Sequence, residues 1–148
     1  MDIINIILGA AKSVGVSGSL LLAICSHESS GFTQNYAAMD KGSPSYGSCQ
    51  IKKRTAEFLG FKGDPKKLND IKINAYWAAK YLKYQQNRYG DNWLKLVSSY
   101  NAGSFLPSKY YPECPKNIKY VHLVQKKLPY DLQNRLQCGI SGEFAENL

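Results

Sequence analysis

The longest regular pattern in the chain is the stretch DIKINAYWAAKYLKYQQNRYG, residues 70–90. Its apolar positions follow one another at the spacing of a single face of an α-helix. Asp70 is placed to cap the start of that helix, and Gly90 is placed to end it. The stretch therefore predicts a long amphipathic helix whose buried face carries Ile71, Ala75, Ala78, Leu82 and Tyr89.

Cap and stop residues predict two more helices before this stretch. Asp2 can cap a helix that runs to about Val14. Ser17 can cap a second helix that runs toward Glu28 and stops at Gly31. The second helix is apolar, with Leu20, Leu21, Ala23 and Ile24 along its length before Glu28.

The segments between and after these helices have weaker patterns. Residues 32–48 are rich in Gly, Ser, Asn, Asp and Pro, which predicts a loop or a short irregular hairpin. Short helices are predicted over 54–59 and at Asp64-Pro65. Asp91 is expected to cap another helix. The last helix is expected over 117–127.

These patterns together predict one mostly α domain. A chain of 148 residues suits a single compact domain, and strand signals are nearly absent. We expect the domain to span 1–128. Residues 129–148 lose periodicity and read as a polar tail packed on, or extending from, the same domain.

The charge of the chain limits its partners. The net charge is +8, which favours a polyanion such as nucleic acid, an anionic membrane surface or an acidic cell wall. No apolar run approaches the roughly 20 residues of a transmembrane helix. The first residues contain Asp2 and no basic residue, so no secretion signal is expected.

Four cysteines are present: Cys25, Cys49, Cys114 and Cys138. They include no CxxC pair and no histidine at the spacing of metal ligands, so no metal site is expected. Two disulfides, in any of three pairings, and free thiols in a protein made in the cytosol both remain open.

Three segments place polar groups where a helical fold favours apolar ones: residues 26–32, 46–51 and 98–103. The first carries Glu28 at the end of an apolar helix. Burial and the negative end of the helix dipole both disfavour a carboxylate there, so we expect the pKa of Glu28 to be raised. A protonated carboxyl group is what a glycosidase needs to donate a proton to a leaving oxygen.

In order and spacing, these segments resemble the lytic transglycosylase family, which has the goose-type lysozyme-like fold. Three stretches carry the match: Glu28-Ser29, then Gly47 with Gln50-Ile51, then the stretch from Tyr100 to Gly103. Further matches are Asn74, Tyr81-Leu82 and Tyr120-Val121. The family's Leu and Met are replaced by Ser48 and Cys49, which implies a smaller and more polar cleft wall.

The resemblance implies cleavage of peptidoglycan between N-acetylmuramic acid and N-acetylglucosamine. Glu28 would act alone, first as acid and then as base, and the muramic 6-hydroxyl would close a 1,6-anhydro ring without water. It implies no cofactor. The implied substrate-binding residues are Ser29, Gly47, Ser48, Gln50, Tyr100, Asn101 and Tyr120.

Two alternatives remain. Asp40 lies close to where goose-type lysozymes carry an acidic residue that positions water, so a hydrolytic muramidase is one. A catalytically silent wall-binding module is the other. In each case the expected partner is the peptidoglycan glycan strand, and nucleic acid is not an expected partner. The protein is expected to act as a monomer in the periplasm or wall. The lack of a secretion signal suits a phage lysis or virion-associated enzyme, or export by another route.

Overall fold

The computed structural model describes residues 2–32, the backbone of 38–40, and residues 43–138. The chain forms two compact units, residues 1–83 and residues 84–148. Both units are mostly helical, which confirms the predicted fold class. The predicted domain boundary at residue 128 stays a prediction.

The first unit begins with two helices, α1 (Ile3–Val14) and α2 (Gly18–Glu28), which pack against each other. Asp2 Oδ1 accepts a hydrogen bond from the backbone N–H of Asn5 at 2.9 Å, and Ser17 Oγ accepts one from Leu20 at 3.2 Å. Both predicted caps are therefore confirmed. Five apolar residues of α2 are almost wholly buried, namely Leu20, Leu21, Ala23, Ile24 and Cys25, whereas Leu22 is half-buried.

A small antiparallel sheet follows α2, and its first two strands correspond to the hairpin, one of the two alternatives expected for residues 32–48. Its strands are β1 (Ala38–Asp40), β2 (Ser43–Tyr46) and β3 (Ile51–Lys52), paired in that order. The short helix α3 (Lys53–Phe58) begins directly after β3, and a 3₁₀-helix covers Pro65–Asn69.

Helix α4 (Ile71–Tyr89) matches the predicted long helix. Asp70 Oδ1 accepts hydrogen bonds from the backbone of Lys72 at 2.9 Å and Ile73 at 3.1 Å, so it caps the helix as predicted. Gly90 follows the helix with a φ of 68°. The boundary between the two compact units falls inside α4.

The second unit contains α5 (Trp93–Ala102) and α6 (Ile118–Gln125). The prediction that Asp91 caps α5 is wrong, because the cap is Asn92, whose Oδ1 accepts from the backbone of Lys95 at 3.1 Å. The Asp91 carboxylate instead accepts hydrogen bonds from the Trp93 indole at 3.2 Å and from Arg135 at 2.9 Å.

The segment after α6 is described as far as residue 138, and it packs against α5 and α6. It forms a 3₁₀-helix over Tyr130–Leu136 and buries Leu136. The guanidinium of Arg135 lies 4.0 Å from the centroid of the Trp93 ring. Residues 139–148 of the predicted tail lie outside the described residues. Within the described residues, no helix is long and apolar enough to span a membrane.

Candidate active site

Glu28 is the last residue of α2 and is half-buried. The backbone turns sharply just after it, because Ser30, Gly31 and Phe32 all have positive φ values, of 51°, 74° and 71°. Positive φ is uncommon outside glycine and needs support from neighbouring groups. The carboxyl group therefore sits where a buried helix meets a tightly constrained turn.

Ser29 supplies the support for this turn. Its hydroxyl donates a hydrogen bond to the Cys25 carbonyl at 2.8 Å and accepts one from the Phe32 N–H at 3.0 Å. The side chain is fully buried. This geometry favours a role in holding the end of α2 over direct contact with a sugar.

The second polar segment, residues 46–51, is another constrained turn. Gly47 has a φ of 72° and Gln50 a φ of 51°. Gln50 donates to the Gly47 carbonyl from both its backbone N–H, at 3.1 Å, and its side-chain amide, at 2.7 Å. Ser48 is 1% exposed, and within the described part of the chain its hydroxyl has no hydrogen-bond partner. Gln50 thus stabilises its own loop while staying half-buried.

Asn74 on α4 holds this turn in place. Its Oδ1 accepts from the backbone N–H of Cys49 at 2.8 Å, and its Nδ2 donates to the carbonyls of Tyr46 at 2.6 Å and Leu68 at 2.8 Å. A Cβ on Gly47 would lie 2.5 Å from Asn74 Nδ2, so glycine is required at that position by the fold itself. Asn74 had a detectable signal in the sequence, a polar residue beside the apolar face of a helix, but its positioning role was not predicted.

A disulfide between Cys25 and Cys49 joins the two polar segments of the first unit, with their Cα atoms 4.2 Å apart. Cys25 lies one helical turn before Glu28, and Cys49 directly precedes Gln50. The structure therefore brings the Glu28-Ser29 segment close to the Gly47–Gln50 turn. All four cysteines are within the described residues; the second pair is Cys114 with Cys138, and none is a free thiol.

In the second unit, the third polar segment forms the C-terminal half of α5. Tyr100 is 6% exposed, so its ring is largely core, whereas Asn101 is exposed. Asn117, just before α6, donates to Asn101 Oδ1 at 2.9 Å and to the Ser98 carbonyl at 3.0 Å. Tyr120 follows on α6 and is half-buried. This unit thus presents an amide and a phenol on two linked helices.

Gln85 is the counterpart of Asn74 in the second unit. It is fully buried, and its side-chain amide donates to the carbonyls of Ser99 at 3.3 Å and Gly103 at 2.9 Å. Arg88 donates to the same Gly103 carbonyl at 2.7 Å. Gly103 itself has a φ of 85°, and a Cβ there would meet no atom of the described residues within 4 Å. The sequence did not single out Gln85 or Arg88.

The acidic groups of the site are few. Across the three polar segments, Glu28 is the only acidic residue. The backbone of Asp40 lies in β1, but its carboxylate lies outside the described part of the structure. Among the described residues, no group of three His, Cys, Asp or Glu side chains could hold a metal ion. Within the three polar segments, the side chains available for chemistry are thus one carboxyl group together with amide and hydroxyl groups.

Comparison with known proteins identifies the family. The chain matches the family model described as the transglycosylase SLT domain over residues 5–113. No curated protein matches the chain. The matched region contains all three polar segments and ends before Tyr120. The family comprises glycan-cleaving enzymes that act on the peptidoglycan of the cell wall. Since the match covers most of the sequence, this chain belongs to the transglycosylase SLT domain family.

Proposed function

We propose that the chain is a lytic transglycosylase that cleaves the β-1,4 bond between N-acetylmuramic acid and N-acetylglucosamine, with Glu28 as its single acid and base. The observation that carries this proposal is that Glu28 is the only acidic residue in the three polar segments. A glycosidase that uses two carboxylates requires a second one near the sugar. One carboxyl group is sufficient when the substrate supplies its own nucleophile.

In the first half of the reaction, the carboxylic acid of Glu28 donates its proton to the oxygen that links the two sugars. The bond from that oxygen to C1 of the muramic residue breaks, and N-acetylglucosamine leaves as an alcohol. The 2-acetamido group of the muramic residue stabilises the positive charge that develops at C1.

In the second half, the carboxylate of Glu28 accepts the proton of the muramic 6-hydroxyl while that oxygen bonds to C1. The product is a 1,6-anhydro sugar. Glu28 ends the cycle protonated, as it began, and no water is consumed.

The residues that bind the glycan follow from exposure and chemistry. Gln50, Asn101 and Tyr120 are half-buried or exposed, and amide and phenol groups pair well with N-acetyl and hydroxyl groups. Ser29, Ser48 and Tyr100 are nearly or fully buried, so we assign them to holding the shape of the site. We assign Gly47 to the same role, because it lies against Asn74.

The setting follows from the family and the charge. Peptidoglycan lies in the periplasm or wall, and a net charge of +8 favours approach to an anionic surface. We propose that the protein reaches this compartment as a phage lysis or virion-associated enzyme, or by a dedicated export route, and acts there as a monomer.

Mass spectrometry of fragments released from purified peptidoglycan tests the reaction. We expect fragments with anhydro ends, each lighter by one water molecule than the hydrolytic product. Glu28→Gln should lower the rate by about 10³-fold, because it removes general acid and base catalysis. The matched control is Glu57→Gln, the same change at an exposed position on α3, and its rate should stay within about twofold of the parent.

Other products would replace the proposal. Free reducing ends would indicate a hydrolytic muramidase, and Asp40→Asn would then test whether Asp40 positions the water. If no fragments appear while the protein still sediments with peptidoglycan, the chain is a wall-binding module.

A further inference from the structure

We propose that the disulfide between Cys25 and Cys49 positions Glu28 and Gln50 for the reaction, so that the enzyme is fully active only when this disulfide is formed. This inference rests on the proposed function of Glu28. It adds a regulatory condition to that function, since the same site would depend on the redox state of its compartment.

Cys25 is connected to the acid by two routes. It lies three residues before Glu28 on α2, which places both on one face of the helix. Its carbonyl also accepts hydrogen bonds from the Ser29 N–H at 3.0 Å and the Ser29 hydroxyl at 2.8 Å. Any displacement of Cys25 is therefore transmitted to the last turn of α2 and to the constrained turn that follows it.

Cys49 has the corresponding place in the second segment. Its N–H donates to Asn74 Oδ1 at 2.8 Å, and the next residue is Gln50, with a φ of 51°. A covalent bond between Cys25 and Cys49 therefore ties the helix that carries the acid to the turn that carries the amide.

Reduction would disturb this arrangement because both cysteines are fully buried. Two thiol sulfurs in non-bonded contact lie roughly 1.5 Å further apart than two bonded sulfurs. A densely packed interior has no free space for this separation, so the two backbone segments must move apart. Misplacement of a catalytic group by about 1 Å lowers a rate by up to about 10²-fold.

The redox step is ordinary thiol–disulfide exchange. The two thiols lose two protons and two electrons to a disulfide oxidant, which is itself reduced to two thiols. The cytosol keeps thiols reduced, whereas the periplasm and the extracellular space allow disulfides to persist. The enzyme would therefore be held at low activity where it is made and become active in the compartment that contains its substrate.

The second disulfide provides a matched control. Cys114–Cys138 has the same sequence separation, 24 residues, but none of its flanking residues belongs to the polar segments of the first unit. A Cys114→Ser/Cys138→Ser protein retains only the first disulfide, and a Cys25→Ala/Cys49→Met protein retains only the second. The methionine restores the residue that the family carries at position 49.

The experiment measures kcat and KM of both variants on soluble, uncrosslinked glycan strands, with and without dithiothreitol. Thiol titration confirms the redox state, and circular dichroism gives the folded fraction. For Cys114→Ser/Cys138→Ser, we expect reduction to lower the kcat of folded molecules by at least about tenfold, because the acid moves. Cys25→Ala/Cys49→Met should not respond to dithiothreitol. If Cys114→Ser/Cys138→Ser does not fold, the parent protein takes its place, and Cys25→Ala/Cys49→Met reports the effect of the second disulfide.

A merely structural role would change the folded fraction and leave the kcat of folded molecules the same, which would overturn the inference. An equal loss of kcat when folded Cys25→Ala/Cys49→Met is treated with dithiothreitol would also overturn it, because the second disulfide would then account for the effect. Amide hydrogen exchange supplies a readout that does not need cleavage. Reduction should speed exchange at Ser29 and Cys49 by at least about tenfold, because their local structure opens more often. If the oxidised parent cleaves nothing, the proposed function fails, and the exchange rates alone decide whether the disulfide positions the two segments.

Discussion

The Gly47–Gln50 turn of the first unit and the Ser99–Gly103 segment of the second unit are held by the same kind of device. In each, a buried amide from α4 contacts backbone groups of the segment: Asn74 for the first and Gln85 for the second. The two supporting amides differ in the contacts around them. Arg88 also donates to the Gly103 carbonyl, whereas Asn74 accepts from the Cys49 N–H. The first support is thus one side chain with three backbone partners, and the second places two side chains on one carbonyl group.

The disulfides extend this difference. Cys25–Cys49 reinforces the turn beside Glu28, while Cys114–Cys138 fastens the C-terminal segment of the second unit. The same covalent link serves local positioning in one unit and attachment of a chain end in the other. Removal of either disulfide should therefore lower stability, whereas only removal of Cys25–Cys49 should also lower the activity of folded molecules.

The largest effect on stability is expected from removing either disulfide with serine pairs. Both loops have a sequence separation of 24 residues, and the chain-entropy model gives about 3.5 kcal/mol of stabilisation for each. Cys25→Ser/Cys49→Ser and Cys114→Ser/Cys138→Ser should lose similar amounts, measured by urea denaturation. Only the former should also lower the activity of folded molecules. Equal losses of activity in the two serine pairs would contradict the difference between the two disulfides.

The next effect is expected from removing the two buried amides. Asn74→Leu is nearly isosteric and removes three hydrogen bonds to backbone groups, so we expect the free energy of unfolding to fall by about 3 kcal/mol. Gln85→Met should cost about 1 kcal/mol, because the Gly103 carbonyl keeps Arg88 as a donor. Urea denaturation of both variants checks the difference. Similar losses of unfolding free energy would show that the two amides support their segments equally.

The smallest difference between the two units is expected from alanine at two glycines. Gly47 and Gly103 both have positive φ, so alanine should cost each about 1 kcal/mol of strain. At Gly47 the new Cβ would also lie 2.6 Å from Asn74 Cγ and 2.8 Å from the Leu68 carbonyl oxygen, which should add about 1.5 kcal/mol. At Gly103 it would come within 4 Å of no atom in the part of the chain that the structure describes. Thermal unfolding of the two variants measures the difference, and equal melting temperatures would contradict it.

At the start of α5, a distant residue decides which side chain caps the helix. Asp91 and Asn92 are both good cap residues and are adjacent, so the sequence does not choose between them. Arg135, which is 44 residues away, and the Trp93 indole engage the Asp91 carboxylate, and the cap falls to Asn92. At the start of α2 the predicted cap is confirmed, because the Ser17 hydroxyl accepts a hydrogen bond from the Leu20 N–H three residues away.

Local signals in the sequence were sufficient to predict the helices and the loop or hairpin before α3. They were also sufficient to recognise the family. Helix periodicity, caps and motif spacing are properties of neighbouring residues, so they can be read from the chain directly. The match to the transglycosylase SLT domain confirmed the resemblance carried by the polar segments. Glu28, the glycan-binding residues and the single acid/base mechanism stay predictions.

Only the tertiary structure decided how the candidate site is supported. The sequence left three disulfide pairings and free thiols open, because pairing depends on which cysteines the fold brings within bonding distance. The same is true of Asn74, whose partners lie 25 and 28 residues away in sequence. Side-chain identity set what chemistry is available at Glu28, and long-range packing set which groups hold it in place.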